Sequence, residues 1–234
     1  MNRSIFAGYI CLSLLALNTG CRKDADQRMN DCDDEITTNS ENHFLNDAIE
    51  LTLRKTREDS LSPFHTSPEI DQQLVQHILG KLSVIYNAAN DTSTVFYDII
   101  HQYNIHYHGT YAFNSLVLKI ADSTLENEFL TNPGSTSSTA LNQITNDYGF
   151  SPQFVFPGWY HLYSTDNYNV KVLCDMLLTD PRIQSATPNM YCCDGDDIKY
   201  TMTPDYDEFI FDHGMGDCPS GCFGHHFWKI QVDN

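Results

Sequence analysis

Positive charge is scarce in this chain. Thirteen lysines and arginines stand against 31 aspartates and glutamates, for a net charge of −18 at pH 7 with histidine neutral. Such a surface repels nucleic acid and anionic lipid, so no nucleic-acid partner is expected. Familiar catalytic signatures are also missing. The sequence has no Gly-x-Ser-x-Gly, no His-Glu-x-x-His, no phosphate-binding glycine loop and no Cys-x-x-Cys pair. No linear motif therefore points to a serine hydrolase, a zinc peptidase, a P-loop NTPase or a thioredoxin-like redox enzyme. No cofactor is implied. The apolar run from Ile5 to Leu17 is too short to serve comfortably as a membrane span. What remains is 234 residues, 41% hydrophobic and 12% aromatic, enough for a real core.

The start of the chain carries an address. Met1-Asn2-Arg3 gives a short positive start, Ile5–Leu17 is apolar, and Leu17-Asn18-Thr19-Gly20-Cys21 closes the run with small residues. This pattern reads as a secretory signal peptide over residues 1–20. Its end resembles a bacterial lipobox. That resemblance implies lipidation of Cys21, a new N-terminus at that residue, and a membrane tether of two or more fatty acyl chains, enough for stable anchoring. Arg22 stands where an aspartate would resemble an inner-membrane retention signal. The outer membrane is therefore the expected location. Lys23-Asp24-Ala25-Asp26 resembles the short charged signal that sends some lipoproteins to the cell surface. The alternative is cleavage near Gly20 and release as a soluble exported protein.

Residues 21–66 read as an acidic, flexible tether. Asp31-Cys32-Asp33-Asp34-Glu35 is densely charged, and Thr37–Asn42 is polar throughout. Such composition buries too little apolar surface to offset its ordering entropy. Phe44–Arg57 has mixed periodicity and reads as a short helix or strand. A folded α+β domain is expected over residues 67–190. Ser67-Pro68-Glu69 is a helix-start signature. Ile70, Leu74, Val75, Ile78, Leu79, Leu82, Ile85 and Tyr86 then recur at helical spacing.

Residues 94–120 and 140–163 look like a weak internal repeat. Each has an amphipathic segment ending in Tyr103-Asn104 or Tyr148-Gly149, followed by two extended segments. The spacing of Val170, Leu173, Cys174 and Leu177 predicts a further helix over 169–179, stopped by Asp180-Pro181, and 183–187 reads as strand. The stretch from Val172-Leu173 to Ala186-Thr187-Pro188-Asn189 resembles the closing helix and strand of subtilisin-type propeptides. Those are small ferredoxin-like modules that fold and inhibit proteases. The resemblance favours a ferredoxin-like split βαβ fold.

Residues 191–234 read as an acidic turn and a C-terminal β-hairpin. Phe209 and Phe211 alternate on one strand, and His226, Trp228, Ile230 and Val232 on the other. Between them lies Gly216-Asp217-Cys218-Pro219-Ser220-Gly221-Cys222. This motif, followed by His225-His226 and Trp228, resembles the end of many uncharacterised exported bacterial proteins, whose family implies no activity. Tyr103-Asn104-Ile105-His106 resembles an earlier part of the same proteins.

Two readings of the loop compete. An oxidising compartment favours a Cys218–Cys222 disulfide, and proline and glycines suit so tight a ring. Alternatively Cys218 and Cys222 hold zinc with His213, His225 or His226, and with Asp217. His213, Asp217 and His226 are accordingly the metal candidates, although none is favoured over the disulfide. His106 and His108, two apart on an expected strand, share a face. Asp194-Gly195-Asp196-Asp197 reads as a solvated turn rather than a calcium loop. Cys174 sits on the apolar face of its helix and reads as a small buried hydrophobe, and the pairing of Cys32, Cys174, Cys192 and Cys193 stays open.

The functional expectation is a non-catalytic binding or structural module for a protein or glycan partner. A propeptide-like protease inhibitor and a metal-dependent hydrolase are the alternatives.

Overall fold

The computed structural model describes residues 29–107, 111–156, 158–190 and 194–234. Residues 1–28, which include the expected leader and Cys21, and His108, Cys192 and Cys193 lie outside the described residues. The chain clusters into two compact units. Unit one takes the residues up to Leu51, then Gln72–His108 and Cys193–Asn234; unit two takes Thr52–Asp71 and Gly109–Cys192. The class is α+β, with two antiparallel sheets.

Helix α1 (Met29–Glu58) corrects the tether assignment over its length. Phe44, Ala48 and Leu51 are buried at i, i+4 and i+7, so one face of an otherwise polar helix enters a core. Lys55 and Arg57 in its last turn suit the negative end of the helix dipole. Composition concealed this face because Asp47, Glu50 and Thr52 are buried on the same stretch.

In unit one, α2 (Gln72–Ala88) buries Val75, Ile78, Leu79, Leu82 and Ile85, as its apolar stripe predicts. A single helical turn, α3 (Val95–Tyr97), runs directly into a π-helical turn, Asp98–Gln102. There Tyr103 N–H donates to Asp98 O, five residues back, at 2.9 Å. Asn104 follows with φ of 50°, a left-handed conformation that asparagine tolerates. The second part of the unit is a three-stranded sheet in the order β5 (Asp197–Met202), β6 (Tyr206–Met215), β7 (Gly224–Asp233). The register pairs Phe209 with Ile230, Phe211 with Trp228 and His213 with His226. These residues share one sheet face, which is buried at Phe209 and opens at His226. Strand β5 was hidden in the sequence by its neighbouring acidic turn.

Unit two is built from β1 (Tyr111–Ile120), α4 (Ser123–Thr131), α5 (Thr139–Asn146), β2 (Ser151–Phe156), β3 (Trp159–Tyr163), α6 (Val170–Leu177) and β4 (Ile183–Met190). Its sheet order is β2-β3-β1-β4, all neighbours antiparallel. Leu116, Leu118 and Ile120 of β1, with Tyr160 and Leu162 of β3, face a core completed by α4, α5 and α6. Asp122 and Ser138 cap α4 and α5 through their side chains, each cap contributing about 1 kcal/mol. Cys174 is a buried free thiol in this core. Burial pushes its pKa up to about 12, the behaviour of a small hydrophobe.

The expected helix-strand-strand repeat is corrected. The second copy is α5, β2 and β3, but the first is a helical segment in unit one followed by β1 in unit two. His106 lies in irregular chain, not on a strand, because its backbone neighbour and side chain bond to a helix carboxylate, as described next.

Candidate functional site

The open end of the inner face of β5-β6-β7 gathers histidines and aromatic rings from four segments of unit one. Helix α1 brings His43, Phe44 and Asp47. Asp47 is buried; its Oδ2 lies 2.7 Å from His106 Nδ1, and its Oδ1 accepts a hydrogen bond from Tyr107 N–H. A single carboxylate thus pins the ring and the backbone of residues 106–107. The bond from Asp47 raises the His106 pKa above the ordinary histidine value, and Asp196 adds to the rise.

His43 lies one helical turn before Asp47 and behaves oppositely. Its ring sits 4.6 Å from that of His106 and 5.1 Å from Tyr86. Its Nε2 is buried without a hydrogen-bond partner. Burial, then repulsion from His106, lowers its pKa to about 4. His43 is therefore neutral at pH 7 while its neighbour is biased toward the charged form, a division typical of paired groups in distinct environments.

A second set of rings runs along the edge of this cluster. His213 to Tyr103 is 4.5 Å between centroids, Tyr103 to Trp228 is 5.4 Å, and Trp228 to His226 is 4.2 Å. Tyr103 is 37% exposed, Trp228 and His213 are half-buried, and His226 is exposed, so the rings form a run that solvent reaches. Asp196 Oδ1 accepts from His213 Nδ1 and from Gly214 N–H, both at 2.9 Å, holding the inner end of the run.

The cysteine loop closes the hairpin. Cys218 and Cys222 form a disulfide across a short helical turn. Gly214 lies beneath it: a Cβ there would clash with Cys222 Sγ and stand 2.9 Å from Gly195 O. The Asp194–Asp197 segment is not a merely solvated turn. Asp194 Oδ2 accepts from Cys222 N–H at 3.0 Å, a bond that lowers the Asp194 pKa, and Asp196 is engaged as above. On the outer sheet face His225 Nδ1 meets Asp212 Oδ1 at 2.8 Å, which raises the His225 pKa.

The three metal candidates do not form one ligand group among the described residues. His213 and His226 face each other across β6 and β7, but each is committed to the ring run. Asp217 is exposed at the hairpin tip, where its backbone carbonyl accepts from Ser220 N–H. Among the described residues one group brings three donors within 4.8 Å, Asp194, Cys222 and His225. The set therefore centres on His225 and Asp194 instead of His226 and Asp217. Cys222 sulfur is in the disulfide, so no thiolate is offered there while the loop is closed. Sequence reasoning missed His43, Asp47 and Asp196. The one available signal was the i, i+4 spacing of His43 and Asp47 on a helix. Comparison with protein-family models, with curated proteins and with solved structures finds no match for this chain.

Proposed function

We propose that this chain is an exported outer-membrane lipoprotein, anchored through Cys21, whose unit one is a non-catalytic module binding glycans. The run His213, Tyr103, Trp228 and His226 carries this reading. Solvent-reachable aromatic faces stack on the C–H faces of sugar rings. Nearby acceptors and donors such as Asp196 and the two histidines supply the few oriented polar contacts that a ligand site needs. Tyr and Trp also combine an apolar body with a polar tip, which suits a wet binding face.

Titration with cellohexaose, chitohexaose and laminarihexaose, measured by isothermal titration calorimetry, tests the site. Saturable binding to at least one, abolished in Trp228→Ala, is expected. Absence of binding to all three, or binding unchanged in Trp228→Ala, refutes it. Mass spectrometry of the membrane-extracted protein tests the anchor: acyl groups on Cys21 are expected, and residues 1–20 still attached would end that assignment.

A second reading applies to unit two. The sequence of elements β1, α4/α5, β2, β3, α6, β4 in the sheet order β2-β3-β1-β4 supports a ferredoxin-like split βαβ module, the fold implied by the propeptide resemblance. A protease-inhibitory role for this unit predicts dose-dependent inhibition of a subtilisin-like protease. A flat inhibition curve removes it.

A further inference from the structure

Unit two contains a cavity of about 560 Å³ beside the start of α6. Its wall includes Arg57, His65, Lys171, Asn169, Val172 and Met176. Two features single it out. Asn169 is 2% exposed, and its Nδ2 amide has no hydrogen-bond partner. The backbone of Asn169 is fully used: its N–H donates to Pro68 O at 2.8 Å and its carbonyl accepts from Val172 N–H at 3.0 Å. The side chain does not cap the helix. A buried donor with its hydrogens unmatched is costly, and this one belongs to the cavity wall.

The second feature is charge. Lys171 sits in the first turn of α6, which has no acidic residue. A cation at the positive end of the helix dipole is unfavourable unless an anion balances it. Arg57 adds a second cation to the same cavity, with Asp175 as the opposing carboxylate of the wall. His65 Nδ1 is turned to Thr56 O at 3.1 Å and Arg57 Nε donates to Leu53 O at 3.0 Å, which fixes the imidazole and the guanidinium in place. In a chain with only 13 basic residues, this is a local concentration of positive charge around an unmatched amide donor. Val172 and Met176 provide an apolar wall next to it.

We propose that this cavity binds a small amphiphilic anion, its carboxylate or phosphate group taken by Asn169 Nδ2, Lys171 and Arg57 and its apolar part lying on Val172 and Met176. The helix N-terminus adds its partial positive charge to the same head group.

The test is amide NMR of the full chain titrated separately with octanoate, acetate and inorganic phosphate. The expected result is a saturable shift of the Asn169 side-chain NH₂ and of the Lys171 amide. Octanoate binding more tightly than acetate assigns a carboxylate amphiphile, and a response to phosphate alone assigns a phosphate head group. Lys171→Gln is surface-tolerated and should weaken binding about tenfold, the loss of one charge-assisted hydrogen bond. Asn169→Asp should abolish it by placing a like charge in the wall. No shift with any of the three at millimolar concentration, or shifts that Lys171→Gln leaves unchanged, overturns the proposal and leaves the cavity holding water only.

Discussion

Replacing His43 by phenylalanine should make unit one more resistant to acid. The His43 pKa is about 4 in the folded chain, against 6.5 for the free side chain. Between those values the unfolded chain binds a proton that the folded chain refuses. Stability must therefore fall as pH falls through that window, and the full stabilisation is present only above it. The difference in pKa corresponds to about 3 kcal/mol at its limit. Because the ring is only partly buried, solvent screening reduces this to ~1–2 kcal/mol.

Phenylalanine keeps a ring against Phe44, Tyr86 and His106 and removes the unpartnered Nε2. At neutral pH the variant should be as stable as the parent or slightly more so. At about pH 4.5 the parent should have lost ~1–2 kcal/mol more than the variant. Urea titrations at the two pH values, read by tryptophan fluorescence in a Trp159→Phe background so that Trp228 alone reports, give the comparison. The raised pKa of His106 acts in both proteins and largely cancels in the difference. Equal losses in both proteins would refute the assignment of His43 as a buried neutral base.

Asp47→Asn removes the carboxylate that holds His106, so NMR titration should show the His106 pKa falling. The stabilisation from a raised histidine pKa is present below the unfolded value and is lost as pH rises through the folded one. The stability gap between parent and Asp47→Asn, about 1–3 kcal/mol, should therefore narrow on going alkaline. Serine at both Cys218 and Cys222 should cost about 2 kcal/mol, the loop-closure entropy of so short a ring, with urea midpoints in and out of reductant as the check. Gly214→Ala crowds Cys222 Sγ and the Gly195 carbonyl. It should cost ~1–3 kcal/mol and leave more free thiol in a labelling assay than the parent shows.

Elements with a clean period were legible. The stripe of α2, the four apolar positions of α6, the strand β4 and the alternation of Phe209 and Phe211 all follow from spacing alone. Helix α1 was not legible, because its buried face mixes Phe44 and Ala48 with Asp47 and Glu50, and charge density at residues 31–35 dominated the reading. The disulfide could be expected from the close spacing of Cys218 and Cys222 and the glycines and proline around them. The ring cluster could not: His43, Tyr103, Asp196 and Trp228 are separated by long stretches of sequence, and only the packing of helices on β5-β6-β7 brings them together. The pairing of His106 with Asp47 likewise depends on a carboxylate whose burial no local pattern announces.

The five-residue hydrogen-bonded turn at Asp98–Gln102 has one more residue than an ordinary helical turn needs. Deleting a single residue there would let the segment relax to regular α geometry and rotate everything after it by about 100°. Tyr103 would then swing off the hairpin, leaving Trp228 with His226 as its remaining ring partner. One surplus amino acid thereby decides whether the four rings stand in a row. A variant lacking it would lose the Tyr103 contacts to His213 and Trp228.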